Sequence, residues 1–252
     1  MRKIIYNENN ILLDEGIFFA RGVFETILYL NAPISLDKHI NRLKKGIREL
    51  GLLELEEEEL KDYIKKMDIQ YKALKVTVTP LNIIISIREI PYSEKDYLKG
   101  VSLCFSEVRR NSTSRLSYIK STGYIENILE KNKAIDIGMN DVIFLNEKGF
   151  VTETSCANIF IVKHKKIVTS RIEDGLLSGI IREWIIENFD VEERRITLED
   201  LKESEEVFIT NSLMGIMPVT VIENYKFEVG VITKIIKTKY EENLGMEDYD
   251  DR

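Results

Sequence analysis
The sequence predicts an α+β fold in two domains, and three observations carry that reading. The chain has 252 residues, more than the roughly 100–200 of an ordinary single domain. Its first part sets helical periodicity ahead of short β-type runs, and a polar, aperiodic stretch then separates it from a second series of strands and helices. The expected division is residues 1–108 as a small α+β domain, 109–119 as the linker and 120–252 as a larger α/β domain.

In the first domain Leu36, Ile40, Leu43, Ile47 and Leu50 recur at spacings of four and three. Ser35 stands before them as a cap candidate and Gly51 after them, which predicts an amphipathic helix of about four turns. Glu56 to Met67 reads as a second, acidic helix. Lys75–Thr79, Asn82–Ile90 and Val101–Val108 read as strands, with Pro80 and Pro91-Tyr92-Ser93 as the breaks. From Arg109 to Ser117 the residues are polar and without period, as a linker is.

Beyond the linker, Ser121–Ile137 reads as helix, and strands Asp141–Asn146 and Phe150–Glu153 flank the turn Glu147-Lys148-Gly149. Asn158–Val162 and Lys166–Thr169 form a hairpin around His164-Lys165. A helix at Gly179–Phe189, strands at Glu206–Thr210 and Met217–Ile222, and a last helix near Val231–Asn243 follow. Glu247-Asp248-Tyr249-Asp250-Asp251 reads as a solvated tail.

A hydrophobic fraction of 44% with 31% charged residues is that of a globular protein. The net charge of −7 argues against nucleic-acid binding, which needs a concentrated basic surface. No apolar run approaches the length of a membrane span, and the N-terminus lacks the apolar core of a signal peptide, so a cytoplasmic protein is expected. Cys104 and Cys156 form no Cys-x-x-Cys pair, and His39 and His164 are isolated, so neither zinc nor a histidine triad is expected.

Function is carried by order and context. Arg21-Gly22-Val23-Phe24-Glu25-Thr26, His39-x-x-Arg42-Leu43, Ile119-Lys120-Ser121, Val151-Thr152-Glu153-Thr154-Ser155-Cys156-Ala157-Asn158-Ile159-Phe160, Asp174-Gly175-Leu176-Leu177-Ser178-Gly179-Ile180-Ile181-Arg182 and Thr210-Asn211-Ser212-Leu213-Met214-Gly215-Ile216-Met217-Pro218-Val219 follow one another along nearly the whole chain. In that order they resemble the fold-type IV pyridoxal 5'-phosphate (PLP) enzymes, among them branched-chain aminotransferases, D-amino-acid transaminases and 4-amino-4-deoxychorismate lyases. The resemblance implies a small α/β N-terminal domain, a larger pseudo-barrel C-terminal domain, and a homodimer with its active site between the domains.

It also implies roles. Lys120 matches the lysine that holds PLP as an imine, a task that requires an amine. Glu153 matches the carboxylate that faces the pyridine nitrogen and keeps it protonated, so that the ring draws electrons. Arg42 matches the phosphate arginine, whose planar fork suits that anion. Ile180 and Ile181 open a helix whose first amides would meet the phosphate, with Ser212 and the Leu213 amide contributing from another loop. Tyr124 is a further cofactor contact. Where aminotransferases often carry Thr after Gly-Ile, this chain has Ile181, so only its backbone can serve.

Three details resemble the lyases: the short Lys120-Ser-Thr-Gly-Tyr124 spacing, which D-amino-acid transaminases share and branched-chain enzymes do not, Gly179-Ile180-Ile181-Arg182, and the Thr210–Val219 segment. The implied reaction converts aminodeoxychorismate to 4-aminobenzoate and pyruvate, a step in folate biosynthesis. A fold-type IV aminotransferase for D-amino or branched-chain amino acids is the alternative, and a non-catalytic PLP-fold protein is the third. One departure bears on substrate: the family's Arg-Gly-x-x-x-Arg-Gly-Tyr loop, whose arginine often meets a substrate carboxylate, shrinks here to Pro80-Leu81. Arg21, Arg88, Arg109 and Arg110 are the candidate replacements.

Overall fold
The computed structural model describes residues 2–8 and 10–245; the expected acidic tail lies outside them. The chain divides into two compact units, one of residues up to Pro91 together with Tyr118–Ile125, the other of Tyr92–Ser117 and the residues from Glu126 onward.

The first unit contains β1 (Lys3–Tyr6), α1 (Glu15–Phe19), β2 (Val23–Tyr29), α2 (Leu36–Glu49), α3 (Glu57–Lys65), β3 (Lys72–Val78) and β4 (Asn82–Arg88). Its strands lie in the order β1-β4-β3-β2, with β1 parallel to β4 and the others antiparallel. Alternation along the strands gives the sheet two unlike faces. Val23, Ile27, Leu74, Val76, Val78, Ile83 and Ile85 pack against Leu36, Ile40, Leu43 and Ile47 of α2 and Leu60 and Ile64 of α3. That is the periodicity read in the sequence, now with its partner surface. Ser35 adopts a left-handed conformation and caps α2 with no side-chain bond, while Gly51, at φ +60°, follows the helix end.

The second unit holds α4 (Glu94–Lys99), β5 (Val101–Arg110), most of α5 (Ile125–Asp136), β6 (Asp141–Asn146), β7 (Val151–Thr154), β8 (Asn158–Lys163), β9 (Lys166–Thr169), α6 (Ile180–Asn188), β10 (Val191–Glu193), α7 (Leu198–Lys202), β11 (Glu206–Asn211), β12 (Gly215–Ile222), β13 (Tyr225–Lys226) and α8 (Val231–Asn243). Its sheet runs β10-β9-β8-β11-β12-β5-β6-β7, and a further pairing of β7 with β8 brings the path round into a barrel. The two strands meet at Glu153 and Asn158. Leu103, Ile143, Val151, Ile159, Ile161, Val207, Met217 and Val219 belong to its main core. His164 and Lys165 both have positive φ, the conformation a two-residue hairpin turn requires.

The domain boundary differs from the expected one in two places. Val101–Val108 belongs to the larger sheet, because β5 runs parallel to both β12 and β6. Arg109 and Arg110, which look like linker, still pair with Leu145 and Asn146; the Arg110 guanidinium lies 3.8 Å over the Phe144 ring, and this pairing lets a polar residue be buried in a strand. Lys120 belongs to the smaller unit. The Phe24 amide donates to the Lys120 carbonyl at 2.9 Å, Val23 bridges to Ser121, and the Thr122 amide donates to the Gly22 carbonyl at 2.9 Å. Those extended pairings also explain why α5 starts at Ile125 and not at Ser121.

Candidate active site
The sequence-predicted residues fall into two clusters, one in each unit. In the smaller unit the strand pairings just described fix the backbone of Lys120. Its Nζ lies 4.4 Å from the Phe24 ring centroid and 5.3 Å from that of Tyr124. The two rings meet edge to face, 5.3 Å apart at 89°. Tyr124 thus joins Lys120 at an aromatic wall, which displaces water from one side of the amine.

Arg42 is set by a residue to which the sequence reading assigned no role. Glu25 of β2 is buried and receives Arg42 Nε and Nη2, each at 2.7 Å, in a two-pronged pair. His39, one turn before Arg42 on the same helix face, places Nδ1 2.7 Å from Glu25 Oε2. Burial pushes the Glu25 carboxyl up, but Arg42 and then His39 outweigh it and hold it at about 2. Burial lowers the His39 imidazole despite Glu25, so the ring is neutral and donates its Nδ1 proton to the carboxylate. The isolated His39 is therefore a clamp on the arginine's orientation. The signal was available, since an acid in the largely apolar run Val23–Tyr29 must find a cation.

In the larger unit Glu153 lies in β7, one residue before its end, with its side chain 13% exposed. Oε2 accepts from the Leu177 amide at 3.1 Å, and Oε1 lies 3.4 Å from Arg110 Nη2. The Leu177 carbonyl accepts from Asn158 Nδ2 at 2.8 Å. Leu177 therefore clips Glu153 and Asn158 together and delivers the chain to α6. A Cβ at Gly179 would stand 1.9 Å from Asn158 Oδ1, so only glycine permits this approach. Gly179 caps α6 with no side-chain bond, which leaves the first-turn amides of Ile180 and Ile181 disposed toward an anion, reinforced by the helix dipole.

The loop between β11 and β12 corrects one expectation. Asn211 Oδ1 accepts from the amides of both Leu213 and Met214 at 2.9 Å, and its Nδ2 donates to the Cys156 carbonyl at 3.3 Å. The Leu213 amide is thus committed to an Asx turn within the loop and is not a donor kept for phosphate. Ser212, half-buried beside it, makes no hydrogen bond among the described residues and is the polar group this loop offers. Arg110, a candidate for a substrate carboxylate, is instead bound to Glu153.

These groups fit PLP. Lys120 supplies an amine beside aromatic rings and Glu153 a carboxylate held in place from two sides. The uncapped α6 terminus, with Gly179 pressed against Asn158, is a cradle for an anion. Among the described residues no group of three His, Cys, Asp or Glu could hold a metal ion, and no helix is long and apolar enough to cross a membrane.

A barrel unit carrying a half-buried carboxylate and a smaller unit carrying the matched lysine are the two parts of the PLP-dependent enzymes of fold type IV. More specifically, the family described as amino-transferase class IV matches residues 22–222, and the chain belongs to it; PLP is that family's cofactor. The chain is 30% identical to the aminodeoxychorismate lyase of Bacillus subtilis (strain 168), over 92% of this chain and 88% of the relative. It is 28% identical to the D-alanine aminotransferase of Bacillus licheniformis, over 92% and 90%. The crystal structure of 4-amino-4-deoxychorismate lyase from Pseudomonas aeruginosa superposes with a TM-score of 0.87, covering 95% of this chain and 97% of that one at 22% identity, a likeness of fold.

Proposed function
We propose that the chain is an aminodeoxychorismate lyase, a carbon–oxygen lyase that forms 4-aminobenzoate and pyruvate for folate biosynthesis in the cytoplasm. The observation that carries this reading is the β11–β12 loop. Its lyase-like Asn-x-Leu-Met sequence is folded on itself by the Asn211 carboxamide, and the loop carries the Ser212 hydroxyl and no carboxylate.

When bound, PLP supplies an electron sink for charge developed at the carbon bearing the substrate's amino group. Glu153, held 3.4 Å from Arg110, is the group for the pyridine nitrogen. Arg42, oriented by Glu25 and His39, and the amides of Ile180 and Ile181 are the groups for the phosphate, with Ser212 as a hydroxyl donor. Lys120 does the proton work: its free amine takes the proton from the carbon that bears the amino group. The ring carbon–oxygen bond then breaks with its electron pair on oxygen, and the protonated Lys120 returns the proton to the departing enol, which becomes pyruvate. The carbocycle becomes aromatic, which drives the step forward.

The test is incubation of the pure protein with enzymatically generated aminodeoxychorismate, without any keto-acid acceptor, beside Lys120→Ala. Stoichiometric pyruvate and 4-aminobenzoate from the wild type alone are expected; no pyruvate would sink the reading. The D-alanine aminotransferase relative supports the second reading, transfer of an amino group from a D-amino or branched-chain amino acid to 2-oxoglutarate. An amino-acid panel distinguishes the two. The assembly we propose is a homodimer, supported by the exposed apolar side chains of Ile125, Ile128, Leu129 and Ile135 along α5. Light scattering should give twice the 29.3 kDa chain mass.

A further inference from the structure
The β11–β12 loop carries Ser212, whose hydroxyl has no hydrogen-bond partner among the described residues. Where that hydroxyl points is therefore decided by the backbone beneath it. The Asn211 carboxamide ties down the amides of Leu213 and Met214, but these two bonds do not involve the Met214 carbonyl, and the next residue, Gly215, sits at φ +60°. A peptide unit beside a glycine in the left-handed region can turn over at little cost. A loop free to do so would present Ser212 in more than one position.

A second element of the larger unit closes that gap from outside the loop. The Tyr97 hydroxyl donates to the Met214 carbonyl at 2.9 Å. Tyr97 lies on α4, which has six residues and is too short to hold its shape unaided. Both of its ends are fixed. Ser93 and Asp96 form a reciprocal cap at the start, with the Ser93 amide donating to Asp96 Oδ2 at 2.7 Å. At the other end Thr220 Oγ1 of β12 donates to the Lys99 carbonyl at 3.1 Å, and a Cβ at Gly100 would stand 2.6 Å from Thr220 Cγ2, so α4 lies close against β12. The Tyr97 ring packs on the main core, with Lys237 Nζ of α8 5.2 Å from its centroid. Burial, then the Glu241 carboxylate, raises the Tyr97 phenol above its ordinary range, so it keeps its proton and stays a donor. On α8, Tyr240 closes on the same loop: a Cβ at Gly215 would stand 3.1 Å from Tyr240 Cε1. Neither helix carries a residue of the six matched segments.

We propose that Tyr97 is a positioning residue for the cofactor's phosphate: through the Met214 carbonyl it holds the β11–β12 loop in the one conformation that aims the Ser212 hydroxyl at that phosphate. The inference rests on the reading of Ser212 as a phosphate donor and is independent of which reaction follows. Tyr97 acts only through the loop, because its hydroxyl is committed to Met214. Arg42 and the α6 amides do not depend on it, so its loss weakens the grip on phosphate without abolishing it.

The probes are PLP and pyridoxal, the same aldehyde without the phosphate. Dialysis of the full-length protein against graded concentrations of each gives two dissociation constants from the bound absorbance. Tyr97→Phe keeps the ring and removes only the hydroxyl. It should weaken PLP binding about three- to tenfold, the size of one lost hydrogen bond, and leave pyridoxal binding unchanged. Ser212→Ala should show the same selective loss. The double variant should lose no more than the larger of the two single losses, because both changes remove one interaction. An equal loss for PLP and pyridoxal in Tyr97→Phe would mark a merely structural role and overturn the proposal, as would an unchanged PLP affinity or losses that add in the double variant. A Ser212→Ala variant without selective loss removes the phosphate role of Ser212 and the proposal with it. Pyruvate release separates this proposal from the lyase reading: a wild type that releases none from aminodeoxychorismate removes that reading and leaves the comparison of PLP with pyridoxal standing.

Discussion
Glu25→Gln preserves the shape of the Glu25 side chain and removes only its charge, which isolates the electrostatic part of the Arg42 clamp. Glu25 is 1% exposed and held at about 2 against an ordinary 4.5. At about 1.4 kcal/mol per pKa unit, this gap corresponds to about 3 kcal/mol of native-state stabilisation, in the range expected on breaking a buried ion pair from one side. The folded-state pKa is lowered, so the contribution is complete above pH 4.5 and fades as pH falls through the window from 4.5 to about 2. Urea unfolding followed by circular dichroism, together with hydrogen exchange of the α2 amides, should show the variant about 3 kcal/mol less stable between pH 6 and 8. The difference from wild type should shrink below pH 4.5. A loss under about 0.5 kcal/mol at pH 7, the size of an exposed pair, or a difference independent of pH down to 3, would refute the account of Glu25 as the buried counter-charge of Arg42.

Gly179→Ala would drive a methyl group into Asn158 Oδ1 and should weaken PLP binding at least tenfold, read by dialysis and retention of the cofactor's absorbance; unchanged affinity would detach Asn158 and Gly179 from the phosphate site. Burial, then the nearby Asp141 carboxylate, pushes the Cys156 thiol up to about 11, so it should resist alkylation by iodoacetamide at pH 8 and gain reactivity only as pH approaches that value. Rapid labelling at pH 7 would contradict this environment. Asn211→Ala frees two loop amides at once and should cost about 1–3 kcal/mol in urea unfolding, with a raised KM for the proposed substrate.

The elements that could be read in the sequence are those whose periodicity meets a partner surface, such as α2 against the small sheet and the β8–β9 hairpin. β2 is not legible as a strand because Glu25 and Thr26 interrupt its apolar run, and the reason for the acid lies in α2, further along the chain. The unit to which β5 belongs is not legible because nothing local distinguishes a strand that pairs forward with β6 and β12 from one that pairs with its predecessors. The matched residues Lys120, Arg42 and Glu153 could be found as positions. Their supports could not, because Leu177 acts through its backbone and Arg110 through a stack on Phe144 that no spacing encodes. The Leu213 amide failed as a donor for a similar reason, since the preceding Asn211 carboxamide is nearer than any ligand.

The pairing of Glu153 with Asn158 has a consequence for how the larger unit can change over time. The barrel joins β7 to β8 at that one residue pair, and the same residues position the carboxylate and the proposed phosphate cradle through Leu177 and Gly179. A substitution here that retunes the chemistry also loosens the seam of the wall, so drift at these positions is penalised twice.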